Sequence, residues 1–416
     1  MIKKINQCRI CGNKDFIDVL DLGTQFLTSV FPDRKQINNI ERYPLKLIKC
    51  HGNENVCNLV QLAHSVEKNL MYSDNYGYRS GLNSSMMLHL QNRVKQVMKI
   101  VNFKKNDIVL DIGSNDGTTL SYYDQQIKKI GIDPTSGKFK EFYKPDITVI
   151  TDFFSAEVLK NYIGNKKIKA ITSFAMFYDL EKPVEFADQI AQILDINEGI
   201  WVLEQSYLPE MLNKLSFDTI CHEHLEYYSL TQIDWIMSKV GLKIINVEFN
   251  EINGGSFAVT VCHKSNKNYK TSKIVNKILQ LEIKKGLLNK KIFKLFSKKV
   301  HFFKNNFKNF LTSSMKSGKK IFGIGASTKG NVILQYCEID KNLLPYIGEI
   351  NPEKFNKFTP GSWIEIKQED EILKMNPDLL LILPWHFKTF FLEQKKYKKF
   401  NLLFPLPETH IVKSNE

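Results

Sequence analysis

At 416 residues and 48.3 kDa the chain is too long for one ordinary core and predicts two or three domains of about 100 to 200 residues each. Hydrophobic residues at 43%, charged residues at 25%, 21 Gly and 13 Pro exclude collagen-like, disordered and disulfide-scaffold chains. The net charge is +14, but lysine is dispersed and no Arg-rich stripe or nucleic-acid motif accompanies it, so no nucleic-acid partner is expected.

No apolar run approaches the ~18 residues that span a bilayer, and the first residues carry no export-type apolar segment. A cytoplasmic, monomeric protein without a membrane partner is expected. There, seven cysteines argue against structural disulfides. Four of them form two pairs, Cys8-x2-Cys11 and Cys50-x6-Cys57. Such pairs, separated by a long excursion, match a treble-clef or ribbon site in which tetrahedral Zn²⁺ replaces a hydrophobic core. Gly12 lets backbone amides approach sulfur, and His51 is an alternative ligand to Cys50. Four closed ligands imply a structural ion.

A Tyr- and Ser-rich loop containing Tyr76 and Tyr78 follows, and from Ser84 apolar residues recur at helical spacing. Residues 107 to 117, DIVLDIGSNDG, read as a buried strand entering a glycine turn, with a helix starting at Thr118. Short apolar runs then alternate with amphipathic stretches, which predicts a parallel sheet with crossover helices. FAVTVCH, after Gly254-Gly255, suggests a late edge strand. Residues 266 to 316 are Lys-rich and free of Pro and predict a helical hairpin, and a second α/β unit begins at Lys319.

The turn Asp111-Ile-Gly113-Ser-Asn115-Asp116-Gly117 places glycines where backbone must turn tightly and approach a ligand. Asp133 closes the next strand, where a carboxylate accepts ribose hydroxyls, and Asp152-Phe153 follows the third, where an acid and an aromatic suit adenine. These three positions in sheet order resemble class I S-adenosylmethionine-dependent methyltransferases.

Cys221-His222-Glu223-His224 lacks a third ligand for a metal and reads better as an acid/base pair. In an extended segment His222 and His224 would face one way and Glu223 the other. Gly323-x-Gly325-Ala-x-x-Lys329-Gly-Asn331 follows a second strand, Glu349 closes the next one, and Trp385-His386 follows an apolar run where a tryptophan is more often core than ligand.

The order of these features resembles the bacterial nucleotide-sugar C-methyltransferases over nearly the whole chain. That resemblance implies an α/β architecture: a zinc module (1–70), a class I methyltransferase domain with a Rossmann-like sheet (71–265), a helical connector (266–316), and a second Rossmann-like domain for the nucleotide sugar (317–416). It implies S-adenosylmethionine and structural zinc as cofactors, and a nucleotide-diphosphate keto sugar of deoxysugar biosynthesis as partner. It further implies Glu223 and His224 as the base pair, with His222 in reserve, Tyr76 and Tyr78 at the ketone, and Lys329, Asn331, Glu349 and Trp385 at the sugar nucleotide. The family's tyrosine before the motif is Cys221 here, and its histidine after the fourth strand is Phe177. Two other readings stand beside this one: O-methylation of a nucleotide-linked sugar or heptose, and a non-catalytic nucleotide-sugar-binding protein.

Overall fold

The computed structural model describes residues 2–52, 55–71 and 78–413. Among them, β1 (Phe16–Phe26), β2 (Arg42–Cys50) and β3 (Val60–Leu62) form an antiparallel meander. Alternating inward residues such as Leu20, Leu22, Leu45 and Leu47 give it one apolar face. Helix α1 (Ser84–Ile100) starts where the Asn83 side chain accepts the amides of Ser85 and Met86, and buries Leu90, Val94 and Val97.

The central sheet is built from β4 (Ile108–Ile112), β5 (Lys128–Ile132), β6 (Ile147–Ile150), β7 (Ala170–Phe174) and β8 (Ile200–Ser206). Helices α2 (Ala156–Ile163) and α3 (Pro183–Ile193) connect its later strands. After β8 the chain contributes β9 (Glu226–Tyr227), which leaves the central sheet and pairs antiparallel with β3 of the meander. Helix α4 (Leu230–Lys239) then leads to β10 (Leu242–Asn250) and β11 (Ser256–His263). The seven-stranded order is β10-β11-β8-β7-β4-β5-β6, parallel except that β11 runs antiparallel to both neighbours. No helix begins at Thr118: the chain makes only a 3₁₀ turn at Leu120–Tyr122. The face is already covered, since Leu120 and Tyr123 pack against Val94 and Val97 of α1.

Helices α5 (Lys273–Lys284) and α6 (Lys290–Lys316) fill the segment expected to be helical but do not pack as a hairpin: α5 buries Val275 in the core of the central sheet, whereas α6 packs on the meander and the last sheet. Phe293, Phe296, Val300, Phe303, Phe307 and Leu311 make a buried stripe on α6 at helical spacing. That stripe joins the apolar face of the meander to the last sheet in a single core. The last unit contains β12 (Ile321–Ile324), α7 (Thr328–Tyr336), β13 (Tyr346–Glu349), β14 (Glu365–Gln368), β15 (Leu379–Ile382), β16 (Leu402–Phe404) and β17 (His410–Val412). Its order, β14-β13-β12-β15-β16-β17, is parallel up to an antiparallel final strand. No helix among the described residues is long and apolar enough to cross a membrane.

Candidate active site and metal centre

The Sγ atoms of Cys8, Cys11, Cys50 and Cys57 all lie within 4.8 Å of one another, with Cys8–Cys57 at 3.4 Å and Cys11–Cys50 at 3.5 Å. A tetrahedral Zn²⁺ with Zn–S near 2.3 Å needs sulfurs roughly 3.8 Å apart, so the donor set fits. Gln61 Nε2 donates to Cys8 Sγ at 3.2 Å and Asn13 Nδ2 to Cys50 Sγ at 3.3 Å, the kind of outer contact that orients thiolate ligands.

A second feature lies at the C-terminal ends of β4, β5, β7 and β8. There a cavity is walled by Asp111, Gly113, Asn115, Asp133, Phe153, Asp179, Glu204, Gln205 and Asn253, with Tyr78 and His89 on the α1 side. This is the edge of an open α/β sheet where ligands bind. Gly113 has φ +75°, and a Cβ there would meet the Met176 side chain at 3.1 Å, so the turn needs glycine. Asp133 receives the Asn115 amide on Oδ2 at 2.9 Å, and the Thr135 amide and hydroxyl on Oδ1 at 2.6 Å each. Its carboxylate therefore shapes the glycine turn as well as facing the cavity. Asp111 accepts from Thr172 Oγ1 at 2.5 Å, and burial pushes its carboxyl up to about 7.

Other expected ligand residues sit elsewhere. Asp116 is not on the cavity wall: its oxygens cap the Gly81 and Thr118 amides, fastening the chain before α1. Gly117 is also off the wall, in a left-handed turn against the Tyr143 ring. Asp152 is exposed and bonds its neighbour Phe153 N, whereas Phe153 does reach the cavity. The strand ends three residues before Phe153, and the outward turn carries Asp152 to solvent. Tyr78 lines the cavity at 49% exposure, with its carbonyl held by Asn115 Nδ2. Tyr76 lies outside the described residues.

The segment from Cys221 to His224 is not extended. His224 N bonds Cys221 O at 3.2 Å, closing a tight turn just before β9 joins the meander. The turn separates the two histidines. His222 is buried with Nε2 against Tyr43 O at 3.2 Å, whereas His224 is half-buried with Nδ1 on Thr219 O at 2.9 Å. Glu223 is buried and accepts from Ser29 Oγ at 2.5 Å. Burial lowers His224 to about 4, with the Glu223 charge opposing the shift. His224 does not line this cavity. It lines a separate small cavity with Tyr178, Thr219 and Tyr227, its ring 4.2 Å from that of Tyr178, the residue before cavity-lining Asp179. Phe177 and Cys221 are both buried, Phe177 among Phe186, Trp201 and Tyr228. Neither lines either of these two cavities.

In the last unit, Lys329 Nζ donates to the carbonyl of Asn253 at 2.5 Å, tying α7 to the Asn253-Gly254-Gly255 turn. Asn331 is fully buried and donates to Thr28 O at 2.7 Å, so it binds the segment after β1 rather than facing a ligand. Glu349 accepts from the amides of Ala326, Ile350 and Asn351, which orders the β12–α7 loop. Trp385 donates Nε1 to buried Asp218 at 2.7 Å and packs in the core.

Sequence reasoning missed three groups. Ser29 reaches Glu223 from the loop after β1, and no local motif marks it. His89 Nε2 meets Glu204 Oε1 at 2.5 Å, while Arg93 and Asn250 hold Glu204 Oε2 at 2.9 and 3.0 Å. Their i, i+4 spacing on α1 and the acid at the end of a buried strand were signals for that cluster. Gln205 lies beside it on the cavity wall.

Family models match residues 8–72 as a candidate zinc binding domain, 88–247 as a methyltransferase domain and 251–407 as a C-methyltransferase C-terminal domain. The C-methyltransferase NovU of Streptomyces niveus is 24% identical over 421 residues, spanning 99% of this chain and 98% of that protein. Among solved structures, the mitomycin 7-O-methyltransferase MmcR overlaps 44% of this chain and 55% of its own at 12% identity and a TM-score of 0.35. The plantazolicin methyltransferase BpumL, in complex with SAH, overlaps 42% and 83% at 13% identity and a TM-score of 0.33.

Proposed function

We propose that this chain, an S-adenosylmethionine-dependent methyltransferase with an N-terminal zinc-binding domain that is similar along its whole length to a C-methyltransferase, methylates a carbon next to the ketone of a nucleotide-diphosphate keto sugar. The observation that carries this reading is the end-to-end likeness to a C-methyltransferase, which extends through the last unit as well as the methyltransferase sheet.

Bound S-adenosylmethionine supplies an electrophilic methyl group. Asp133 and Phe153 would hold its adenosine, and Asp111, on the same cavity wall, would offer a carboxylate to its cationic part. A ketone acidifies the neighbouring C–H, and His224, held through Nδ1 by Thr219 and backed by Glu223, presents its Nε2 lone pair to remove that proton. Tyr78 stands at the mouth, and Tyr76 is assigned to the ketone by family likeness. The last unit receives the nucleotide, with Lys329 closing the Asn253 turn against it. His89 with Glu204 is the rival base, because that pair lines the donor cavity itself. A mass-spectrometric screen of nucleotide-diphosphate keto sugars with the donor tests the acceptor class. Methyl transfer to a keto sugar supports it, and transfer only to non-keto sugars overturns it.

Two expectations concern the donor. Asp133→Ala should weaken donor binding by about 1 to 3 kcal/mol in calorimetry, since ribose hydroxyls lose a charged acceptor and the glycine turn loses its anchor. Unchanged affinity would place the ribose elsewhere. The carboxyl of Asp111, raised to about 7, is largely neutral at pH 6 and charged at pH 8. The cationic donor favours the charged form, so affinity should rise about tenfold across that interval and stay flat in Asp111→Asn. A flat wild-type profile would separate Asp111 from the donor.

A further inference from the structure

Gln205 is the penultimate residue of β8 and only 2% exposed, yet neither Oε1 nor Nε2 has a hydrogen-bond partner among the described residues. The residue lines the donor cavity. Polar side chains on the same cavity wall are bonded elsewhere. Glu204 is committed to His89, Arg93 and Asn250, and Ser256 Oγ donates to Ile252 O at 2.8 Å. An unsatisfied buried amide costs a fold stability and is rare in native proteins, so a group that persists on a cavity wall calls for a ligand there.

Its place in the sheet says which part of the ligand. The order β8-β7-β4-β5 sets β8 three strands from β5, whose end carries Asp133. Adenosine is assigned to that far end with Phe153, so β8 faces the acceptor side of the transferred methyl.

We infer that Gln205 is a catalytic residue whose Nε2–H donates to the ketone oxygen of the acceptor, while its Oε1 accepts from the adjacent ring hydroxyl. This rests on the carbon-methylation reading above. As the base takes the proton, the C–H electron pair forms the C=C bond and the carbonyl π pair moves to oxygen. The amide hydrogen bond strengthens as that charge develops. When carbon attacks the methyl group, the pair returns to rebuild C=O and the S–CH₃ pair leaves with sulfur. Gln205 moves no proton; it stabilises charge at one atom.

The test uses the full zinc-loaded chain and the variants Gln205→Leu and Gln205→Met. Both should unfold at or above the wild-type temperature, because an unpartnered amide is gone, and should bind S-adenosylhomocysteine within twofold of wild type. Methyl transfer to a nucleotide-diphosphate 4-keto-6-deoxyhexose, and exchange of its carbon-bound hydrogen into D₂O, should fall about 10²- to 10³-fold. Exchange within threefold of wild type in either folded variant overturns the assignment alone. Weakened S-adenosylhomocysteine binding with normal turnover at saturating donor also overturns it, by putting the amide on the methionine moiety. A wild-type enzyme that methylates without any exchange overturns the enolate reading beneath it.

Discussion

His224→Ala should slow methyl transfer by about 10²- to 10⁴-fold while leaving S-adenosylhomocysteine affinity unchanged, the pattern of a residue that acts on the transition state. The geometry separates these effects. His224 is outside the cavity proposed for the donor, so its removal should leave those walls intact, yet it abuts Tyr178 one residue from the cavity wall. Burial lowers its imidazole to about 4, so it is neutral and able to accept a proton throughout the physiological range. The rate should fall as pH drops through about 4 and this group protonates, rather than near the ordinary 6.5 of histidine. Glu223 is the charge that opposes the lowering, so Glu223→Gln should weaken the base further and reduce turnover in its own right. Steady-state kinetics on His89→Ala supplies the contrast. If that variant loses catalysis and His224→Ala keeps it, the base is the pair inside the cavity.

Loss of zinc should be as damaging, through stability. The double variant Cys8→Ala, Cys11→Ala should carry no zinc by elemental analysis, where the wild type carries one per chain. Its unfolding temperature should drop on the order of 10 °C or more, since structural zinc contributes several kcal/mol even at a fraction of its worth in isolated fingers. The module is built into everything else. Cys8, Cys50, Cys57 and Leu59 pack in the core of the methyltransferase sheet, and the meander shares a core with α6 and the last unit. The loop after β1 then delivers Ser29 to Glu223 and the Thr28 carbonyl to Asn331. Full stability and zinc content in the double variant would refute the site.

Much of this was legible in the chain because the signals are local. Paired cysteines, a strand ending in Asp111 and Gly113, and the helical spacing in α6 each follow from short-range chemistry. What the sequence hides is which side chains meet across long separations. Nothing near Asn331 announces Thr28 as its partner, and Trp385 meets Asp218 from a different unit. The turn at His222 and Glu223 escaped a strand-like reading because it is imposed by the pairing of β9 with β3, far earlier in the chain. Cys221 and Phe177, which differ from the family pattern, are core residues in this structure and leave both cavities unlined at those positions.

The central claim is that a proton leaves carbon before the methyl group arrives. It is tested most directly by incubating a nucleotide-diphosphate 4-keto-6-deoxyhexose with the enzyme in D₂O, with and without S-adenosylhomocysteine, then adding donor and locating the new methyl by NMR. Deuterium is expected at the carbon beside the ketone, with the product methyl bonded to that carbon. A methyl with the shift of an ether, and no carbon-bound exchange, would contradict it.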